Sequence, residues 1–332
     1  MPGWKSIQSK KQRVRKTKIA LICLGIILML LILSQAVKFT RTLFSPWKVP
    51  IAKSFLWNGD FSLNFLVRSN KVSLVSFNPK EQKIVVFDIP DSVFLEVAHG
   101  FGNWQLSSIY NLGEGEQITG AVLLQDTLSD FFGLPIEGFL QFSGKYAEVS
   151  PQDLIAEFRG SPFSLVYLLP HLKTNFTPFE LIHLKFGLSA VRFDKISQID
   201  LENADVLEQT KLADGSLVYI SEDQRVESIL AEVIDPVIKS EHKTVAIFNS
   251  TNHPLLAQKA ARIVTNIGGD VIIVTNGREK FKNTVVIGEQ SQTLQRLWQI
   301  FGKFDNINPE NEDLKVSRAQ INVFLGEDFL RL

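Results

Sequence analysis

The stretch VAIFNSTNHPLLAQKAARIVTNIGGDVIIVTN, residues 245–276, decides the fold of the C-terminal part of the chain. Its first apolar run, residues 245–249, predicts a strand, and Asn252 stands where a helix cap is expected. Apolar residues then recur at helical spacing from Leu256 to Ile267, and two glycines end the helix. Residues 271–274 predict a second strand, so the stretch reads as strand–helix–strand.

The residues that follow extend this unit to six elements. Residues 284–287 and 321–325 predict two further strands, and Ser291 caps a helix whose apolar stripe ends at Phe301. The resulting order, βαββαβ, is the split βαβ arrangement. We therefore expect residues 243–332 to form a separate domain that folds alone. A linker helix within residues 221–242, opened by Ser221, should precede it.

Residues 53–220 predict a second α/β unit. Short runs rich in Val, Ile and Phe at 72–77, 83–89 and 92–97 are separated by proline-containing turns, which indicates strands. A helical pattern covers residues 117–132. Ser150, Ser161 and Thr177 each precede a proline, the usual arrangement at the start of a helix. Thr177 and Glu180 also have capping-box spacing.

Residues 19–37, IALICLGIILMLLILSQAV, carry no charge and predict a transmembrane helix. At 1.5 Å per residue such a helix is about 28 Å long, close to the apolar thickness of a bilayer. The basic residues of the preceding tail, 1–18, predict a cytoplasmic N-terminus and an extracytoplasmic remainder beyond a stalk, 38–52. They are Lys5, Lys10, Lys11, Arg13, Arg15, Lys16 and Lys18. The alternative is a cleaved signal peptide with small residues near Ala36, but the run exceeds the usual signal core of about 7–15 residues.

Composition excludes several classes of function. The chain has zero net charge, and the seven basic residues of the tail leave about −7 for the remainder. An acidic ectodomain does not favour nucleic acid as a partner. The sole cysteine, Cys23, lies in the apolar run, so disulfides are not expected. The five histidines have no zinc-binding spacing, and we predict no metal site.

Two parts of the sequence are similar to known domains. Within residues 65–143 the text reads RSNKVSLVSFNPKEQKIVVFDIPDSVFLEV, GFGNWQLSSIYNLGEGE and LLQDTLSDFFGLPIEGFLQFSG. It resembles the LytR-CpsA-Psr family in the order and spacing of its motifs. Residues 243–326 resemble the LytR C-terminal domain often attached to that family. The resemblance implies an α/β domain with a central mixed sheet, a bacterial cell-membrane location, and transfer of glycopolymers from a polyprenyl-phosphate carrier to peptidoglycan.

The residues at the family's catalytic positions differ from the pattern. The family's IPRD motif, whose arginine holds pyrophosphate, is here Ile89-Pro90-Asp91-Ser92, and its metal-side aspartate falls on Asn70. Arg68 matches as a cation. An aspartate repels phosphate, and an amide is a poor ligand for Mg²⁺. Losing both should remove most phosphoryl-transfer activity, so we predict no catalytic residues.

Three functional hypotheses follow from the resemblance. The first is a non-catalytic binding or scaffolding protein that recognises polyprenyl-phosphate lipid or cell-wall glycan and needs no cofactor. The second is an active transferase, which would need Mg²⁺. The third is an adaptor whose C-terminal domain binds a protein partner. The ligand-binding candidates are Arg68, Asn70, Asp91, Asn249, Ser250 and Thr251. An apolar tunnel near Phe131 and Phe139 would favour the first hypothesis over the third.

Overall fold

The computed structural model describes residues 29–35, 38, 56–116, 118–213, 215–302 and 317–331. The strands are β1 (Leu63–Arg68), β2 (Val72–Asn78), β3 (Lys83–Ile89), β4 (Phe94–Val97), β5 (Gly102–Gln105), β6 (Gly138–Phe142), β7 (Leu172–Thr174), β8 (Ile196–Asp200), β9 (Glu208–Lys211), β10 (Leu217–Ile220), β11 (Thr244–Asn249), β12 (Asp270–Asn276), β13 (Val285–Gly288) and β14 (Ile321–Leu325). The α-helices are α1 (Leu106–Gly115), α2 (Gly120–Phe132), α3 (Pro151–Arg159), α4 (Ser164–Leu168), α5 (Pro178–Ala190), α6 (Asp223–Leu230), α7 (Pro236–Glu241), α8 (Leu256–Asn266) and α9 (Gln292–Phe301).

The first unit is built on a six-stranded mixed sheet in the order β7-β6-β1-β2-β3-β8. β1 pairs in parallel with β6, and β3 pairs in parallel with β8. β2 lies between β1 and β3 and is antiparallel to both. The predicted α/β class and central mixed sheet are confirmed.

Both faces of this sheet are covered, so its strands bury residues on both sides. In β1, Leu66 joins the core beneath α1 and α2, whereas Phe65 and Val67 join the core beneath α3 and α5. This alternation follows from the two-residue period of a strand. A sheet buried on both faces has nearly continuous apolar strands, which explains the runs in the sequence.

The second sheet has the order β12-β11-β14-β13. The predicted element order, βαββαβ, is confirmed, but the split arrangement is wrong. β11 pairs directly and in parallel with β12 on one side and with β14 on the other, so no strand separates the first βαβ pair. Apolar periodicity predicts elements, whereas the choice of neighbouring strand depends on contacts distant in sequence. Here α8 and the turn at Gly268, whose φ is 104°, return the chain beside β11.

Several predicted helix caps are confirmed. Thr177 Oγ1 accepts a hydrogen bond from the Glu180 amide at 3.2 Å, and Glu180 Oε2 accepts one from the Thr177 amide at 2.8 Å. This is the complete capping box at the start of α5. Ser150 and Ser291 accept bonds from the amides of Asp153 and Leu294 in the same manner.

Three other predicted caps are wrong. α8 begins after Leu255 with no side-chain cap, so Asn252 is not its cap. Ser161 Oγ accepts from the Phe163 amide at 3.3 Å in a turn, and α4 begins only at Ser164. Ser221 Oγ instead donates to the carbonyl of Val206 at 2.7 Å. In each case the local pattern fits a turn as well as a helix start.

The C-terminal unit packs directly against the first one. Arg262 donates from Nη1 to the carbonyl of Asp130 at 2.8 Å and from Nη2 to that of Phe131 at 2.9 Å. Asn266 Nδ2 donates to the carbonyls of Phe132 and Gly133. The last carbonyls of a helix have no partner within it, so α8 supplies donors that cap α2. The apolar core is also continuous across the two units.

The predicted membrane segment lies largely outside the described residues, as do the basic tail and most of the stalk. Residues 29–35 are helical, and the apolar side chains of 29–33 are exposed. Within the described residues, no helix is long and apolar enough to cross a bilayer.

Candidate functional site

Three of the predicted site residues lie at one edge of the six-stranded sheet. β1 and β3 end at the same edge, because both are antiparallel to the strand between them. Arg68 is the last residue of β1, and Asp91 follows β3, which ends at Ile89. Asn70 lies in the turn between β1 and β2. The structure therefore brings together the three residues that the family resemblance selected in this unit.

Arg68 is held against an aromatic ring. Its guanidinium carbon lies 3.8 Å from the centroid of the Tyr110 ring, within cation–π range. The Tyr110 hydroxyl in turn bonds with the side chain of Gln141 on β6. Partial burial lowers the pKa of Arg68, and the charges of Tyr110, Asp91 and Glu114 oppose this change. Arg68 is thus a positioned cation with two carboxylates acting on it.

Asn70 and Asp91 are both exposed. Asn70 Oδ1 accepts from Ser69 Oγ at 3.2 Å, and the backbone carbonyl of Asp91 accepts from the Ser107 amide at 3.1 Å. Ser92 is half-buried, and its carbonyl accepts from the Tyr219 amide. At this edge the charges of Asp91 and Glu114 act on Arg68, and the exposed Lys71 adds a second positive charge in the turn after Asn70.

Asn249, Ser250 and Thr251 lie in the other unit, at the end of β11. Asn249 Oδ1 accepts from the Thr251 amide at 3.0 Å and from Thr251 Oγ1 at 2.8 Å. Asn249 Nδ2 donates to the carbonyl of His253 at 2.7 Å. All three side chains are buried. The polar groups of Asn249 and Thr251 therefore close a turn after the strand, as is typical of asparagine and threonine. Ser250 Oγ, by contrast, is buried without a hydrogen-bond partner among the described residues.

A large cavity, which the sequence did not predict, lies between the two units. Its volume is about 1060 Å³. Its apolar lining includes Phe94, Phe131, Ile136, Leu256, Ile263 and Phe329. Of the two aromatic residues considered for a tunnel, Phe131 contributes to this cavity, whereas Phe139 is buried in the sheet core. No sequence signal could have found the cavity, because its walls come from segments more than a hundred residues apart.

The polar side of this cavity carries an acid–base pair. His99 Nε2 lies 2.9 Å from Asp126 Oδ2. Burial raises the pKa of Asp126 to about 6, and the hydrogen bond from His99 opposes that rise. His99 itself has a φ of 62°, in the left-handed region that side chains rarely adopt. The neighbouring cations are already paired, since Lys259 contacts Asp130 at 3.0 Å and Arg262 contacts Glu227.

In the part of the chain that the structure describes, no three His, Cys, Asp or Glu side chains come together in a way that could hold a metal ion. That a cofactor is not needed stays a prediction.

The comparison with protein families identifies the C-terminal unit. Residues 243–329 match the LytR_C family, described as LytR cell envelope-related transcriptional attenuator. The predicted LytR C-terminal domain is thereby confirmed. No curated protein matches the chain.

Solved structures similar to the chain include the LytR-CPS2A-psr family protein YwtF (TagT) with bound octaprenyl pyrophosphate lipid. It is 14% identical, at a TM-score of 0.38, over 57% of this chain and 96% of that one. TagV of Bacillus subtilis is 13% identical, with a TM-score of 0.39, over 51% of this chain and 93% of that one. EF0465 of Enterococcus faecalis is described as a transcriptional regulator. It is 12% identical, with a TM-score of 0.40, over 51% of this chain and 84% of that one.

Proposed function

We propose that this protein is a membrane-anchored, extracytoplasmic component of bacterial cell-wall glycopolymer assembly that binds a polyprenyl-phosphate-linked ligand without transferring it. The matched LytR_C domain supports a role in the cell envelope. The motifs of residues 65–143, which resemble the LytR-CpsA-Psr family, support the glycopolymer class. The exposed apolar helix at residues 29–35 is compatible with an anchor.

The observation that carries the non-catalytic part is the charge around Arg68. Asp91 occupies the position where the family resemblance expects an arginine, and its charge acts on Arg68 together with that of Glu114. At about 4 Å and an effective dielectric near 20, one unit-charge pair is worth about 4 kcal/mol. The family's arginine attracts the negative charge of the phosphoryl group during transfer, whereas Asp91 at that position repels it.

The remaining cation supports binding at the same edge. A guanidinium over an aromatic ring keeps its planar donors oriented, and such donors suit a phosphate group better than an ammonium would. A single phosphate facing Arg68 needs less positive charge than a pyrophosphate undergoing transfer. The proposed ligand is therefore a lipid-linked glycan held through one phosphate.

The test is extraction of lipid from the full chain, purified from bacterial membranes in detergent, followed by mass spectrometry. We expect polyprenyl phosphates to co-purify, and Arg68→Gln to reduce their amount. Arg278→Gln is the matched control, because Arg278 is exposed in the segment after β12, in the other unit. Equal amounts from both variants, or none above the detergent blank, would contradict the proposal.

A further inference from the structure

The helix α5 buries its lysine and exposes its phenylalanine. Leu181, Leu184 and Leu188 face the core, as their spacing predicts. Lys185 is buried among them, and its Nζ donates to the carbonyls of Phe158 and Gly160. Phe186, by contrast, is 67% exposed. A surface helix normally places its charged residues in water and its apolar residues inside. The reversal means that the outer side of α5 is apolar as well.

More apolar side chains extend this surface. Ser164 Oγ and Lys185 Nζ both donate to the carbonyl of Phe158, so the start of α4 lies beside the middle of α5. The exposed Phe163 precedes Ser164, and Phe193, which is 88% exposed, follows the end of α5. We call the resulting surface the aromatic face. It comprises Phe163, Val166, Tyr167, Ile182, Phe186 and Phe193.

The aromatic face combines exposed apolar residues of two neighbouring elements, since the start of α4 lies beside the middle of α5. Isolated apolar residues at a surface are normal, whereas a contiguous patch marks a contact with a protein, a ligand or a membrane. Here two elements next to each other contribute, and four of the six residues are aromatic. The face lies on the side of the sheet opposite to the C-terminal unit, because α5 covers one core and α8 the other.

The path of the chain indicates what covers this face. The first described residue after the stalk is Leu56, and the amide of the next one, Trp57, donates to Glu180 Oε1 at 3.0 Å. Glu180 lies in the first turn of α5. The segment that leads from the apolar run therefore meets the domain at the N-terminus of the helix that carries the aromatic face. Residues 38–55 separate the apolar run from the first unit. A fully extended backbone of that length would span at most about 65 Å.

Charge at the edge of the face is compatible with a lipid surface. Arg192 and Lys195 are exposed on either side of Phe193. Arg192 also contacts Asp194 at 3.1 Å, which leaves a net positive charge on this segment. Aromatic rings at the headgroup level with basic residues beside them are the usual composition of a membrane–water interface.

We propose that the aromatic face rests in the headgroup region of the bilayer that holds the chain's own anchor. The inference depends on the membrane anchoring in the proposed function, and it adds the side of the domain that touches lipid. Contact through α5 would fix the orientation of the domain, so that its other side, with the C-terminal unit, faces away from the membrane.

The experiment measures lipid contact at single positions of the full chain. Cys23→Ser removes the native thiol, and Phe163→Cys, Phe186→Cys or Phe193→Cys then accepts a nitroxide label. Leu217→Cys is the matched control, because Leu217 on β10 is an apolar residue outside the face that is also more than half exposed. The replaced side chains are exposed, so folding is not at risk. Each protein is reconstituted in vesicles of phosphatidylglycerol and phosphatidylethanolamine.

Flotation of the vesicles reports anchoring, and the label reports the face. We expect labels at the three positions to collide several-fold more with oxygen than with a water-soluble nickel chelate, relative to Leu217. If the protein floats with the vesicles but the ratio of oxygen to nickel-chelate collisions is the same at all four positions, the inference is overturned while the anchoring stands. Labels shielded from both reagents would show a protein contact instead, which also overturns it. Failure to float would contradict the anchoring itself.

Discussion

Replacing Glu137 by glutamine tests the contact between the two units. Glu137 pairs with Arg296 of the C-terminal unit, and the side chains are only 7% and 1% exposed. Arg296 Nη2 also donates to the carbonyl of Ser62 at 3.1 Å. Removing one partner of a buried pair leaves the other charge uncompensated, at a cost of about 3–5 kcal/mol. The exposed pair of Lys83 and Glu232 is the control, worth roughly 0–1 kcal/mol.

The assay is guanidinium unfolding of the full chain in detergent, followed by tryptophan fluorescence. Glu137→Gln should lower the free energy of unfolding by about 3–5 kcal/mol. Glu232→Gln should lower it by no more than about 1 kcal/mol. The double change Glu137→Leu with Arg296→Met should recover most of the loss, because a well-packed apolar pair can replace a buried ion pair. A loss with Glu137→Gln no larger than with Glu232→Gln would refute the reasoning.

Three further predictions rest on single features. Thr177→Ala removes the cap that accepts from Glu180 and should cost about 1 kcal/mol of unfolding free energy; an unchanged denaturation midpoint would show that the cap contributes nothing. The folded-state pKa of Asp126, about 6, lies above its ordinary value of 3.8, so its contribution is complete below pH 4 and is lost as the pH rises to 6. The free energy of unfolding should thus fall by up to about 3 kcal/mol over that range, and the fall should be smaller in Asp126→Asn. The same dependence on pH in both proteins would contradict this prediction. A reporter active only outside the cytoplasm, fused after residue 332, should be active, and activity of a cytoplasm-only reporter there would reverse the topology.

Local chemistry explains what the sequence predicted well. The cap at Thr177 depends on residues three positions apart, and the buried stripe of α5 depends on helical spacing. The element order of the C-terminal unit follows from apolar periodicity alone. The family resemblance further selected Arg68, Asn70 and Asp91, and the sheet register brings them to one edge.

What the sequence missed depends on contacts distant in the chain. Arg296 reads as the polar side of an amphipathic helix, yet it is buried because Glu137, 159 residues away, pairs with it. Lys185 reads as a solvated lysine, yet backbone carbonyls of α3 and its following turn hold it inside. The direct pairing of β11 with β12 and the cavity between the units arise in the same way, from packing that no local pattern encodes.

The central claim is that the protein binds a lipid-linked ligand without transferring it, and a turnover assay tests this most directly. The full chain is incubated with Mg²⁺ and a geranyl-length pyrophosphate substrate, beside the double variant Asp91→Arg with Asn70→Asp. Loss of one attraction of about 4 kcal/mol already corresponds to about three powers of ten in rate. We expect no turnover by the unmodified protein, and any recovered turnover only in the double variant. Turnover by the unmodified protein that a chelator abolishes would contradict the claim.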